Sequence, residues 1–107
     1  MSKPLKLQII EDAMTLIRDE RHWCRGELAR DADGLSVDAT DSSAIRRCAF
    51  GALVSAAYRL THDYWQAHDL AISALRPTYG SATLVRVNDV RGHAVVLALL
   101  DEASKKM

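Results

Sequence analysis

The residues of this 107-residue chain with the most reactive side chains are two cysteines and a nearby histidine. His22 and Cys24 are separated only by Trp23, and Cys48 lies further along the chain. Imidazole nitrogen and thiolate sulfur are ligands that Zn²⁺ prefers, so these three side chains would form most of a zinc site if the fold brought them together. Strong zinc motifs use paired ligands such as Cys-x-x-Cys, and unpaired cysteines are often buried core residues. We therefore expect structural cysteines and no cofactor, with a zinc or thiol site at His22, Cys24 and Cys48 as the alternative.

Nucleophilic catalysis by Cys24 would need more than the thiol. Arg21 and Arg25 flank it, and nearby positive charge lowers the pKa of a thiol and favours the reactive thiolate. Catalysis also requires an oriented base and a group that stabilises the developing oxyanion. No recognised catalytic motif supplies these parts. We predict no catalytic residues and do not expect an enzyme.

A group of arginines offers a different kind of chemistry. Arg21, Arg25, Arg46 and Arg47 lie in or near one irregular stretch, with Trp23 among them. Guanidinium groups bind phosphate and carboxylate with two parallel hydrogen bonds, so this set predicts a partner-binding surface. Aspartates at positions 31, 33, 38 and 41 are interspersed with the arginines. Mutual pairing of these charges is the alternative interpretation.

The overall charge restricts the kind of partner. Fourteen basic and fourteen acidic side chains give a formal net charge of zero. Because affinity for nucleic acid depends on neutralising phosphates with excess Lys and Arg, nucleic acid is not the expected partner. The expected partner is therefore another protein or a second copy of the chain.

The chain shows no membrane or export signal. Its longest apolar stretches, residues 48–58 and 94–100, are far shorter than the roughly 20 residues of a membrane-spanning helix. The N-terminal segment is charged and has the periodicity of a helix, unlike a signal peptide. We therefore expect a cytoplasmic protein with no membrane partner and with reduced thiols.

Four segments have the apolar periodicity of helices: residues 3–20, 42–60, 63–75 and 92–104. Residues 21–41 form a long irregular loop between the first two helices, and Thr40 or Asp41 is the predicted cap of the second. Residues 78–91 are also irregular, with 84–87 as an extended segment or a short helix on the core. The expected fold is all-α, a compact single-domain bundle of about four helices over residues 1–107.

Several side chains have predicted positions in this bundle. The second helix is apolar or small on all sides, so it should be central and buried, with Gly51 allowing a neighbouring helix to approach closely. Trp23 and Trp65 are expected in the core, because large aromatic residues dominate small cores. Asn88 and Asp89 are good capping residues, and we assign them to the turn before the last helix.

Three motifs resemble a known family. They are Trp23-Cys24-Arg25-Gly26 with its Asp/Gly turn, Arg46-Arg47-Cys48-Ala49-Phe50-Gly51-Ala52-Leu53, and Asn88-Asp89 before a leucine-rich helix. In this order they are similar to a family of short, uncharacterised bacterial and phage-borne proteins. The resemblance covers most of the chain and implies that Cys24 and Cys48 are neighbours in space. Because this family has no established activity, it implies no function.

The sequence thus favours a non-enzymatic accessory or regulatory protein. It would bind a macromolecular partner, or itself, through a helical face or through the arginine-rich surface.

Overall fold

The computed structural model describes residues 3–76 and 78–106, which form five α-helices, one turn of 3-10 helix (Glu20–His22) and one small sheet. The helices are α1 (Leu5–Ile17), α2 (Ala49–Thr61), α3 (Tyr64–Ser73), α4 (Ser81–Arg91) and α5 (His93–Lys105). The strands are β1 (Ala29–Arg30), β2 (Ser36–Val37) and β3 (Arg46–Arg47). Within this described part of the chain, no helix is long and apolar enough to cross a membrane.

Helix α2 is the centre of the bundle, as its small and apolar sequence predicts. Every residue from Ala49 to Ala57 is buried. Helices α1 and α3 both pack against α2, and α5 packs against α1. The core combines Ile9, Ile10 and Ile17 of α1 with Leu53 of α2 and Leu100 of α5. The predicted burial of the second helix is confirmed.

The predicted all-α bundle of about four helices needs two corrections. The structure contains a three-stranded antiparallel sheet in the order β2-β1-β3, in which Ala29 lies opposite both Val37 and Arg47. Strands β1 and β2 lie in the supposed irregular loop, and β3 lies in the segment predicted to begin the second helix. Each strand is only two residues long, too short to show the alternating pattern by which strands are recognised. The other correction is α4, which occupies most of the segment predicted to be irregular. Its β-branched residues Thr83, Val85 and Val87 favour extended structure, but Leu84 and Asn88, one helical turn apart, both face the core.

The start of α2 was also predicted wrongly. The helix begins at Ala49 rather than near residue 42, because Arg46 and Arg47 belong to β3. Its cap is neither Thr40 nor Asp41 but the Cys48 sulfur, which accepts a hydrogen bond from the Gly51 amide at 3.3 Å. At the other end, His62 adopts a left-handed conformation with φ of 56° and closes the helix.

Gly51 does permit a close approach, although not by a helix. A Cβ at position 51 would lie 2.0 Å from the Leu28 carbonyl oxygen. That oxygen also accepts a hydrogen bond from the Cys48 amide at 3.1 Å. The glycine therefore fixes the segment before β1 against the first turn of α2.

Candidate functional site

The three sequence motifs meet at Asn88, whose side chain is fully buried. Its Oδ1 accepts hydrogen bonds from the Trp23 indole at 2.7 Å and from the Ala49 amide at 2.9 Å. Its Nδ2 donates to the Cys24 carbonyl and to the Asp89 carboxylate, each at 3.0 Å. We call these five residues the Asn88 cluster. They connect the Trp-Cys segment, the start of α2 and α4, so Asn88 satisfies the polar groups of three separate parts of the chain.

This arrangement corrects the assignment of Asn88 and Asp89 to a turn before the last helix. Both residues lie inside α4, which ends at Arg91. Asp89 instead accepts a hydrogen bond from the Gly26 amide at 3.0 Å, and its carbonyl accepts one from Arg25 at the same distance. The Arg25 guanidinium carbon also lies 5.1 Å from the centre of the Trp23 ring. Asn88 and Asp89 therefore hold the Trp-Cys segment against α4 instead of capping α5.

Cys24 and Cys48 are both buried and both unpaired. Burial raises the pKa of the Cys48 thiol to about 11, and burial also raises the pKa of Cys24, against the opposing charges of Arg30 and Arg46. The Cys24 thiol donates to the Glu27 carbonyl at 3.6 Å. Because the nucleophile and the metal ligand are both the thiolate, these surroundings disfavour thiol chemistry near neutral pH.

The zinc alternative at His22, Cys24 and Cys48 is not supported. His22 is exposed and borders a surface depression with Thr15, Ile45 and Arg47, whereas the two cysteines are in the interior. Among residues 3–76 and 78–106, no group of three or more His, Cys, Asp or Glu side chains is arranged to hold a metal ion.

The predicted arginine surface does not form as one surface. Arg21 is exposed and pairs with Asp19 at 2.7 Å, and Arg25 is bound to Asp89 and lies beside Trp23. Trp23 is only 9% exposed and belongs to the core, as expected. Arg46 and Arg47 are adjacent in β3, and because neighbouring strand residues point to opposite faces, Arg46 is exposed while Arg47 is buried. Among the described residues, no ion pair joins these arginines to the aspartates at positions 31, 33, 38 and 41.

Arg47 lines a recess of about 290 Å³ beside α2. Its side chain is 8% exposed, its Nη2 donates to the Ala44 carbonyl at 3.2 Å, and its Nε is a buried donor with no hydrogen-bond partner among the described residues. Arg59, from the last turn of α2, lines the same recess. Burial is the main cause that lowers the pKa of the Arg47 guanidinium below its ordinary value, and the positive charge of Arg59 lowers that pKa further. We call this feature the Arg47 recess.

An exposed aromatic surface lies at the junction of α2 and α3. Trp65 is 76% exposed, which contradicts its expected place in the core. The Tyr64 ring is 5.0 Å from the Trp65 ring and 4.4 Å from that of His68, and the Tyr64 hydroxyl donates to Asp38 at 3.0 Å. We call Leu60, Tyr64, Trp65 and His68 the α2–α3 corner.

The face of α3 that is buried explains this error. The sequence interpretation assigned Trp65 to the core because large aromatic residues dominate small cores. Helix α3 instead buries Ala67 and Ala71 against the small residues of α2. Two surfaces of small residues allow the helices to approach closely, and the tryptophan is left outside.

Arg59 was not predicted as a site residue. Only its spacing of four residues from Ser55 on α2 could have indicated a shared polar face.

A sequence model of a family described as "Family of unknown function (DUF6197)" matches residues 1–106. The chain belongs to this family, which confirms the expected relation to uncharacterised proteins. No curated protein and no solved structure matches the chain.

Proposed function

We propose that this DUF6197 member is a non-enzymatic accessory or regulatory protein that binds a protein partner through the α2–α3 corner. The observation that carries the proposal is the exposure of Trp65, whose indole is 76% accessible. A large aromatic side chain in water loses the hydrophobic stabilisation that burial would give it. Tryptophan is also among the residues that most often dominate binding energy at protein interfaces.

The neighbouring contacts support a binding role because they hold the surface in one conformation. Tyr64 lies edge-on to Trp65, and its hydroxyl is fixed by Asp38 in the loop after β2. The Asp63 carboxylate accepts a hydrogen bond from the Gln66 amide at 2.9 Å and so fixes the start of α3. An ordered aromatic surface loses less conformational entropy on binding than a flexible one.

The arginine-rich surface supports partner binding less well than the α2–α3 corner. Arg25 is engaged with Asp89 and Trp23, Arg21 is paired with Asp19, and Arg47 is buried. Arg46 is exposed, but it does not form a continuous charged surface with the other three arginines. The helical face is therefore the surface that we propose.

A site-specific photo-crosslinker tests this proposal. Benzoylphenylalanine at position 65 should capture one defined protein in cells, because its side chain would lie in the interface. The matched control is position 90 on α4, where Val90 is 68% exposed and lies outside the corner. A product of two chains of 11.8 kDa each would identify the partner as a second copy.

The captured partner is then purified and its affinity measured with Trp65→Ala and Val90→Ala variants. We expect Trp65→Ala to weaken binding about thirtyfold or more, as for an interface hot spot of about 2 kcal/mol, while Val90→Ala leaves the affinity unchanged. Equal capture from positions 65 and 90, or unchanged affinity of Trp65→Ala, would contradict the proposal.

A further inference from the structure

The Arg47 recess contains positive charge that the described part of the protein does not balance. Its lining includes Arg47, Arg59, Thr40, Asp41, Ser42 and Ser55. The ion pairs formed by the described residues include neither Arg47 nor Arg59. A buried charged group without a partner is unfavourable unless something compensates it. The nine-tenths-buried Arg47, with its unpartnered Nε, therefore points to a bound anion.

The fold places these groups together by regular geometry. The alternation of β3 directs Arg47 inward while Arg46 faces solvent. Ser55 and Arg59 are four residues apart on α2, so they lie on the same face of the helix. The loop after β2 closes the recess with Thr40, Asp41 and Ser42. The site thus combines three separate segments of the chain.

We propose that the Arg47 recess binds the phosphoryl group of a small phosphorylated molecule, with Arg47 and Arg59 as its principal ligands. The two guanidinium groups attract the charge of about −1.5 to −2 that a phosphomonoester carries at neutral pH. A carboxylate has only two oxygens and would use fewer of the hydrogen-bond donors in the recess. Ser42 and Ser55 line the same space, and their hydroxyls can donate to a group with three terminal oxygens, whereas the Thr40 hydroxyl already donates to Asp38 at 2.8 Å.

Asp41 is the acidic member of the lining and opposes an anion in part. Its Oδ1 already accepts two hydrogen bonds from Ser43, from the amide and from the hydroxyl, both at 2.8 Å. These bonds lower the pKa of Asp41, so it stays ionised at neutral pH. The two arginines and Asp41 together still leave one net positive charge in the recess, which attracts an anion.

Isothermal titration calorimetry of the full chain tests this site with inorganic phosphate, glycerol 3-phosphate and acetate at matched ionic strength. Phosphate and its monoester should bind, and the tighter of the two identifies the source of the phosphoryl group. The variant Arg59→Ala removes an exposed side chain and should fold normally. It should weaken phosphate binding about tenfold or more, because the phosphoryl group would lose a charge-assisted hydrogen bond.

The matched control is Arg46→Ala, which removes an equally charged side chain from the opposite face of β3 and should bind phosphate like the wild type. Three results would overturn the proposal: absence of phosphate binding, acetate binding as tight as phosphate, or equal weakening in both variants. Trp65→Ala should leave phosphate binding unchanged, so this test is independent of the proposed protein interface.

Discussion

Asn88 and Arg47 are both buried polar side chains, and the fold treats them in opposite ways. Asn88 uses its oxygen twice and its amide nitrogen twice, and every partner lies within 3.0 Å. The Arg47 side chain forms one hydrogen bond among the described residues, to the Ala44 carbonyl, and retains an unpartnered Nε beside a second arginine. A satisfied buried group stabilises a unique structure, whereas an unsatisfied one costs stability.

The difference indicates where the chain holds its structure together and where it is open to a ligand. The three motifs singled out in the sequence, Trp-Cys, Cys-Ala-x-Gly and Asn-Asp, converge on the closed Asn88 cluster. Of the open groups, Arg47 directly precedes Cys48 in the second motif, whereas Arg59 and the exposed Trp65 lie outside all three motifs. The residues that meet at Asn88 are therefore explained by folding, and the proposed binding sites involve Arg47 and residues outside the motifs.

Removal of the Asn88 side chain should have the largest effect on stability. Asn88→Ala leaves the Trp23 indole, the Ala49 amide and the Cys24 carbonyl without their buried partner. Each such group costs about 1–3 kcal/mol, so we expect a loss of about 3–5 kcal/mol in the free energy of unfolding, measured in urea. Val90→Ala, an exposed change on the same helix, should cost less than about 0.5 kcal/mol. A similar small loss in both variants would show that the Asn88 cluster is not the structural centre.

A methyl group at Gly51 should have the next largest effect. Gly51→Ala places a Cβ 2.0 Å from the Leu28 carbonyl oxygen, so the segment before β1 must move. We expect a net loss of about 2–3 kcal/mol despite the better helix propensity of alanine. Gly80→Ala is the control, because its Cβ would meet no atom within 4 Å, and it should cost less than about 1 kcal/mol. A stabilised Gly51→Ala protein would disprove the close approach.

The thiol of Cys48 should make the closed region sensitive to alkaline pH. Burial raises its pKa from an ordinary value of 9.0 to about 11, so the native state holds the proton more tightly than the unfolded chain. This contribution is fully present below pH 9 and is lost as the pH rises through 11, by about 2–3 kcal/mol. Unfolding curves across this range should fall more steeply for the wild type than for Cys48→Ala. Parallel profiles would mean that the thiol is not held in a desolvated site.

Replacement of Arg47 should have the smallest effect on the free energy of unfolding. Its sign should be opposite to that of replacing Asn88, which destabilises the protein. Arg47→Met keeps an unbranched, flexible side chain and removes a buried charge without an ionic partner. Replacing buried charges with apolar groups of similar volume is often neutral or stabilising. We expect Arg47→Met to match or exceed the wild type by about 1 kcal/mol in phosphate-free buffer. A loss as large as that of Asn88→Ala would show that Arg47 is also a satisfied structural residue.

The sequence alone reveals the helices whose burial is evident in their apolar periodicity. The first and last helices were predicted near their observed positions, and the burial of the second helix was predicted although its start was not, because Ile9, Leu53 and Leu100 belong to strongly apolar stripes. Strands of two residues leave no such pattern. Helix α4 was hidden because its β-branched residues favour extended structure while its burial depends on contacts with distant segments.

The roles of the site residues depend on contacts between distant segments even more than the helices do. Asn88 is paired with Trp23, 65 residues away, and nothing local to Asn-Asp distinguishes this role from a helix cap. Arg46 and Arg47 are identical in type, and only the register of β3 against β1 decides which of them is buried. Trp65 was assigned to the core by its size, although the small residues of α2 selected the alanine face of α3.

The contrast between Asn88 and Arg47 requires that Arg47 has an anionic ligand. Its most direct test is urea denaturation of the wild type and of Arg47→Met over a range of phosphate concentrations at constant ionic strength, which gives the free energy of unfolding of each protein. A ligand that binds only the native state stabilises it progressively with concentration. Without phosphate, Arg47→Met should be at least as stable as the wild type. As phosphate is added, the wild type should become the more stable protein while the variant does not change. Parallel responses of the two proteins would contradict the account, because the unsatisfied arginine would then have no ligand to bind.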